Sequence, residues 1–404
     1  MKNYTLAISL IILFLFHNSF SQDNTRLDVK NFGIDKPSVL STNTFGLFFM
    51  RLEGNFRTQK RDKLSIDISI SSGNIWAQPL TVYIPNLEAD RNYVSQFPWH
   101  NREFRVDVED LDAKTVEIQN DGVIKEFKAR VNIPINEKSE ILLSAKSFLL
   151  TGGNSIFTIL TSDSFIENFH DKIAGGDDPF DRGLYPYDQA KIRYKDRNDN
   201  VMEINKNDFV FSGIEATYYY YPQMEKLNNK GYYLNFGGHL GVNTSKYNSS
   251  TDLGLSGNIL KTFSYKTNKH FNVGISIGGV YKDAVEFGKN QLEFGTNASI
   301  GFLESSFEYK LVTQSKFTHS FGLDFYMQTP LNQKNEYDYM IPTKNGTSVQ
   351  GWNIGNESLY NMNNYWTFFY SFSRKQTFTF YIQQDFTVNN NPDIQTGINV
   401  QIPF

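Results

Sequence analysis

Gly397-Ile398-Asn399-Val400-Gln401-Ile402-Pro403-Phe404 decides how the rest of the chain is read. In an extended strand Ile398, Val400, Ile402 and Phe404 share one face, and Gly397, Asn399, Gln401 and Pro403 share the other. One face is apolar and the other small or polar, so the strand separates water from something greasy. The same period-two pattern recurs upstream. Leu64, Ile66, Ile68 and Ile70 alternate with Ser65, Asp67 and Ser69, and Phe127, Ala129, Val131 and Ile133 alternate with Lys128, Arg130 and Asn132. Leu234, Phe236 and Leu240 oppose Asn235, Gly237, His239 and Gly241, while Phe271, Val273, Ile275 and Ile277 oppose Asn272, Gly274, Ser276 and Gly278. Phe317, Phe321, Leu323, Phe325 and Met327 repeat the pattern, as do Trp366, Phe368, Tyr370 and Phe372, and then Phe378, Phe380 and Ile382. Each segment alone is a weak signal; their repetition points to an all-β fold.

The polar faces are rich in Gly, Ser, Asn and Thr, which suits a wet or tightly filled lumen better than a soluble exterior of Lys and Glu. Aromatic residues form 15% of the 404, including 35 Phe and 23 Tyr, as the girdles of a membrane barrel require. After the amino-terminal segment no stretch approaches the ~18 apolar residues of a membrane helix, so a membrane crossing must use paired strands closed into a cylinder. Residues 1–21 carry one charge, Lys2, then an apolar run over 6–16 and Ser19-Phe20-Ser21. They read as a secretory signal peptide, with residues 22–404 as the mature barrel. With no cysteine, neither a lipid-anchored lipoprotein nor a disulfide-stapled module is expected, and the net charge of −4 argues against nucleic acid as a partner.

The expected architecture is a transmembrane antiparallel β-barrel of about 14 strands (range ~12–16), with a short helix in a long extracellular loop. Short turns are read near 136–138, 266–268, 313–315 and 374–375, and long loops at 151–205, 243–252, 282–290, 330–361 and 387–393. The layout of residues 75–120 stays open because alternation there is patchy. Apolar residues lie at even positions over 294–302 but at odd ones in Phe307, Tyr309 and Leu311, so a bulge or turn is expected near Leu303-Glu304.

Residues 161–173 break the pattern. Ser162 or Asp163 can cap a short helix carrying Phe165, Ile166, Phe169 and Ile173 as an apolar stripe. Phe165, Phe169, His170 and Asp171 are therefore candidates for an element that gates the mouth, the plainer reading being a loop helix that covers the rim. The acidic residues that follow, Asp177, Asp178 and Asp181, match no calcium-loop spacing, and no metal site is expected.

A terminal aromatic on a strand of this kind is similar to the signal that bacterial outer-membrane barrels present to their assembly machinery, which makes Phe404 the expected assembly signal. Gly152-Gly153, Ser164-Phe165-Ile166-Glu167-Asn168-Phe169-His170-Asp171 and Arg193-Tyr194 resemble the bacterial domain of unknown function 3187 family, as do Gln384-Asp385-Phe386 and Pro392-Asp393. The chain departs from that pattern between Gly153 and Phe165, where it has extra residues. It departs again at Ala174-Gly175-Gly176, where the family tends to continue Phe-Gly-Leu. The resemblance implies an outer-membrane location and no established activity.

Nothing in the chain spells out chemistry. A lipid-hydrolysing barrel needs a Ser and a His on one face, yet His319 and its neighbour Ser320 alternate to opposite faces, and His239 belongs to the lumen set. No nucleotide or zinc motif is present, and no catalytic residue or cofactor is expected. Asp67, Asp107, Lys128, Arg130, His239 and Asp324 are the expected lumen-lining charges. Mixed signs around a constriction orient small polar solutes, which favours a passive pore or transporter. If the charges pair and close the lumen, the alternative is a structural or adhesive barrel; a lipid-modifying enzyme ranks lower. The expected partners are outer-membrane lipid, the assembly machinery and an unnamed solute.

Overall fold

A computed structural model describes residues 32–40, 51–84, 114–155, 158, 160–174, 186–196, 198–288, 292–294, 296–329, 364–385 and 394–404. The strands in chain order are β1 (Ser65–Ile84), β2 (Lys114–Asn136), β3 (Ser139–Thr151), β4 (Lys191–Lys195), β5 (Val201–Asn205), β6 (Phe209–Tyr220) and β7 (Tyr232–Ser245). Then follow β8 (Asn248–Lys266), β9 (Lys269–Glu286), β10 (Ser299–Val312), β11 (Thr318–Gln328), β12 (Asn364–Ser373), β13 (Thr377–Asp385) and β14 (Ile394–Pro403). Neighbours pair antiparallel in the order β1-β14-β13-β12-β11-β10-β9-β8-β7-β6-β3-β2, and β1 also pairs with β2, so the sheet closes on itself. Of the 14 strands among the described residues, β4 and β5 continue the sheet beyond β2 and lie outside the ring, leaving twelve in the wall. The chain is thus a closed transmembrane-type β-barrel, within the expected strand range. No helix among the described residues is long and apolar enough to cross a membrane.

The carboxyl-terminal strand closes the ring as its alternation demands. Ile398 and Ile402 pair with Ile70 and Ile66 of β1, and Asn399 and Gln401 pair with Ser69 and Asp67. On β1 the odd residues Ser65, Asp67, Ser69 and Ser71 are buried inside, while Ile68 is 48% exposed outside. Leu255, Ile277, Leu303 and Phe380 are likewise exposed, forming the apolar outer wall that lipid would solvate. Phe404 is exposed, its amide donating to the Leu64 carbonyl at 2.9 Å.

Connections over 137–138, 267–268, 313–317 and 374–376 are short and lie at one end of the cylinder, as expected. At that same end residues 221–231 form a longer connection holding a four-residue helix, α2 (Glu225–Asn228). The expected loop at 243–252 is instead β7 and β8 joined through Lys246-Tyr247, because Asn243 and Ser250 still pair across the hairpin. The region read as a loop over 151–205 contains helix α1 (Asp163–Phe169), a π-helical turn (His170–Ala174) and the β4–β5 hairpin.

No bulge occurs near Leu303-Glu304: β10 keeps continuous register with β9 and β11 through both residues. The apolar residues change parity because Ile300 and Phe302 point inward. Phe302 packs with Leu52, Val280, Tyr326 and Tyr365 inside the barrel. An apolar residue on the lumen face is stable there because that end of the lumen holds protein rather than water.

That protein is the chain's own amino-terminal segment. Residues 32–40 and 51–61 enter the barrel as two extended stretches joined antiparallel: Gly33 bridges Arg57, Ile34 N–H donates to the Phe56 carbonyl at 3.0 Å, and Thr58 N–H to the Phe32 carbonyl at 3.2 Å. Phe56 is 2% exposed and lies over β9 at Gly274, where a Cβ would come within 2.4 Å of its ring. Phe369, fully buried, crosses β11 at Gly322 in the same way. Glycine at these two positions makes room for a ring where any side chain would collide.

Candidate functional site

The site lies where this plug meets the wall. Its charged groups come from odd and even strand positions that alternation aims inward, and from plug residues with no period of their own. Lys128 of β2 lies 3.6 Å from Glu53 Oε1 and 3.5 Å from Glu126 Oε1, and donates to Ser38 Oγ and the Val39 carbonyl at 3.0 Å each. Arg130, two residues along the same face, is 3.5 Å from Glu53 Oε2 and 3.5 Å from Asp67 Oδ2. Arg61 of the plug donates to Asp67 Oδ2 at 3.3 Å and to Ser65 Oγ at 2.8 Å. Its amide donates to Glu140 Oε2 at 3.0 Å, and Glu140 also accepts the Tyr221 hydroxyl at 2.5 Å. Lys146 of β3 and Glu215 of β6 form an adjoining ion pair.

A second set of contacts holds the beginning of the plug. Lys310 donates to Asp35 Oδ2 at 2.9 Å and to the Gly33 carbonyl at 2.6 Å. Glu308 accepts the Asp35 amide at 2.8 Å and Asn272 Nδ2 at 2.8 Å. Ser371 Oγ donates to the Asp35 carbonyl at 3.0 Å. Lys36 pairs with Glu304, which also accepts the Gly54 amide at 2.5 Å. Asn55 is bound from three sides by Asn258, Tyr221 and Asn235. Each of these named charges has an opposite charge or a hydrogen-bond partner within reach, as burial in a low dielectric demands.

A cavity of about 130 Å³ remains between plug and wall, lined by residues of both together with His239, Thr217 and Tyr219. Asn132 and Glu140 in its lining lie close to the β2–β3 turn, so the cavity extends toward the short-turn end.

At the other end the closure is apolar. Ile192 and Tyr194 of β4 and Met202 and Ile204 of β5 face inward and pack on Leu40 of the plug, Ile75, Ile124, Phe148 and Leu150. The hairpin reaches the far side of the mouth, where Tyr194 stacks on Phe294 at 4.7 Å and donates its hydroxyl to the Glu293 carbonyl at 2.8 Å. The Tyr247 hydroxyl, from the β7–β8 turn, donates to the Glu203 carbonyl at 2.8 Å.

Of the residues singled out from sequence, Asp67, Lys128 and Arg130 converge on one ionic cluster. His239 is buried on the lumen face, hydrogen-bonded to Thr217 at 3.0 Å and Ser256 at 2.8 Å, and lines the same cavity. Asp324 is buried on β11 within electrostatic reach of Lys36, outside that cavity's lining. Asp107 lies outside the described residues. Helix α1 is anchored by Asp163, which accepts Asn74 Nδ2 at 2.8 Å and the Asp188 amide at 2.6 Å. Ser162 Oγ accepts the Phe165 amide at 3.3 Å as its cap. Ser72, which bonds Thr161 at 2.7 Å, and Asn74 have the parity of the outward Ile66, Ile68 and Ile70. The helix is therefore tied to the outer side of the β1–β2 rim. Phe165 and Phe169 stack at 6.3 Å on that helix, and His170 and Asp171 begin the π-helical turn, with Asp171 exposed. His319 accepts or donates to the Tyr370 hydroxyl at 2.8 Å, while Ser320 is buried on the lumen side against Asp35. No cluster of metal-ligating groups occurs among the described residues.

Sequence reasoning missed Glu53, Arg61, Glu140 and Glu215. Glu215 carried a usable signal, since it shares a face of β6 with Thr217 and pairs across β3 with Ser144. Glu53 and Arg61 carried none, because their partners lie on strands of unrelated register.

No protein-family model and no curated protein matches the chain. Among solved structures it is similar to an outer membrane channel from Pseudomonas putida F1, at 7% identity and a TM-score of 0.37, over 85% of this chain and 96% of that one. It is also similar to the NanC porin, at 6% identity and a TM-score of 0.32, over 70% and 93%. A third likeness is to the transport unit of the autotransporter AIDA-I from Escherichia coli, at 7% identity and a TM-score of 0.34, over 89% and 95%.

Proposed function

We propose that the chain is an outer-membrane barrel, secreted with removal of residues 1–21, that serves as a passage for small polar solutes and is held shut by its own plug. A twelve-strand cylinder is wide enough to enclose more than its own wall side chains, and here the extra room is filled by residues 32–40 and 51–61. The observation that carries the reading is the joint between Glu53 and Arg61 of the plug and Asp67, Lys128 and Arg130 of the wall. A polar joint of this kind can exchange its partners for water in an opening lumen, whereas an apolar core cannot. The same charges, once the plug moves, line the path and act on a solute.

The alternative, a permanently closed structural or adhesive barrel, is supported by the apolar packing of the β4–β5 hairpin onto Leu40. Planar-bilayer recording separates the two. The wild-type chain is expected to be mostly silent with rare openings. Glu53→Arg, which sets a like charge against Lys128 and Arg130, is expected to give frequent discrete conductance steps. Silence from both proteins would discard the passage in favour of the closed barrel.

A further inference from the structure

We propose that the cavity between plug and wall is a binding site for a small anion, a solute bearing carboxylate or phosphate, with Arg57 as its principal ligand. The inference rests on the passage reading above and names the class of solute for it. The cavity lining carries seven basic side chains against four carboxylates, and Glu304 and Glu126 just behind it pair with Lys36 and Lys128, so the positive excess rests on the arginines. All four carboxylates are already engaged: Glu53 by Lys128 and Arg130, Asp67 by Arg61 and Arg130, Glu140 by Tyr221 and the Arg61 amide, and Glu215 by Lys146. Among the basic groups Lys36 has Glu304, and Arg51 donates to the Leu40 carbonyl and lies 4.2 Å over the Tyr326 ring.

Arg57 differs. Among the described residues its side chain makes no ion pair and no hydrogen bond, although its Nε is buried. The Nε atoms of Arg51 and Arg61, lining the same space, are buried and unpartnered as well. A buried donor without an acceptor is unfavourable. Glu53 Oε1 and Asp67 Oδ1 of the same lining are also buried without a hydrogen bond, so three such donors face two such acceptors, and of the three arginines Arg57 alone has neither an ion pair nor a hydrogen bond. The group that fits the remaining donors is an acceptor with negative charge and more than one oxygen. The guanidinium fork fits carboxylate and phosphate in two parallel hydrogen bonds. About 130 Å³ is several times the space of one water and admits an anion of a few heavy atoms.

The test uses the full-length protein in detergent micelles at low ionic strength. Inorganic phosphate, succinate and, as a cationic control, ethylenediamine are titrated separately by calorimetry. Saturable binding of phosphate or succinate is expected, and the tighter of the two identifies the anion class. Arg57→Gln is expected to weaken it about tenfold, and Arg57→Lys to recover part of the loss. Resistance to unfolding in hot detergent shows that each variant is folded. If Arg57→Gln does not fold, the wild-type comparison of anions with ethylenediamine and the Arg57→Lys affinity carry the test. No saturable anion binding by the folded wild type, equal binding of ethylenediamine, or full affinity in Arg57→Gln would each overturn the site. A Glu53→Arg protein that stays silent in bilayers would remove the passage reading while leaving these binding measurements intact, so the two failures are separable.

Discussion

The two ends of the lumen are closed by different physics. Toward the short turns, plug and wall meet through ion pairs and hydrogen bonds around a charged cavity. At the long-loop end the β4–β5 hairpin meets Leu40, Ile75, Phe148 and Leu150 through apolar packing. Ionic joints are directional and fail sharply when one partner is removed or reversed, since the remaining charge is left buried alone. Apolar joints fail in proportion to the area and volume lost. One seal therefore resembles a latch and the other a lid.

Substitutions that strike one seal alone are the sharpest way to break this comparison. Lys128→Glu should have the largest effect, because it faces Glu53 and Glu126 with a third negative charge and withdraws the donor to Ser38 and Val39. A loss of about 3–5 kcal/mol in plug docking is expected. Hydrogen exchange would show it as lost protection over residues 51–61 with the strands still protected; uniform protection would mean that the latch is elsewhere. Met202→Ala, in the fully buried lid, should cost about 2–4 kcal/mol locally. Limited proteolysis should then cut the β4–β5 hairpin faster while the plug stays protected. If the plug loosens as well, the two seals are one cooperative unit.

Tyr381→Phe sharpens the boundary between them, since its hydroxyl accepts the Leu40 amide at 3.0 Å and donates to Ser71 Oγ at 2.8 Å. A cost of about 1 kcal/mol is expected, read as a modest rise in exchange at Leu40. Glu203→Gln should do least. Its pairings with Lys191 at 3.6 Å and Arg193 at 3.7 Å are between half-exposed side chains, worth about 0.5 kcal/mol each at most, and hairpin proteolysis should be nearly unchanged.

The wall was legible because its signal is local. Ile398-Asn399-Val400 states which face is greasy without reference to any other residue, and each short turn follows from where alternation stops. The seals were not legible, because each depends on partners far apart in sequence. Residues 32–61 have no period, so nothing in them announces that Glu53 will meet Lys128. That omission propagated: with no plug foreseen, the change of parity after Phe302 asked for a bulge, whereas a lumen filled by the chain's own segment accepts Ile300 and Phe302 in register. Likewise Ser245-Lys246-Tyr247-Asn248 reads as polar loop, yet Asn243, Ser245 and Ser250 are strand residues: Asn243 Nδ2 donates to Ser250 Oγ, and Ser245 Oγ accepts the Asn248 amide. Asp67, Lys128, Arg130 and His239 were found because strand parity alone aims them inward; Arg57 was not, because it sits on no strand.

Only residues 62–64 separate Arg61 from the first strand of the wall. A stopper on so short a leash never diffuses away: once dislodged it remains at an effective concentration far above that of any free competitor, of millimolar order. Reclosure is therefore unimolecular, its rate indifferent to how many copies the membrane holds. Each barrel carries its own reset.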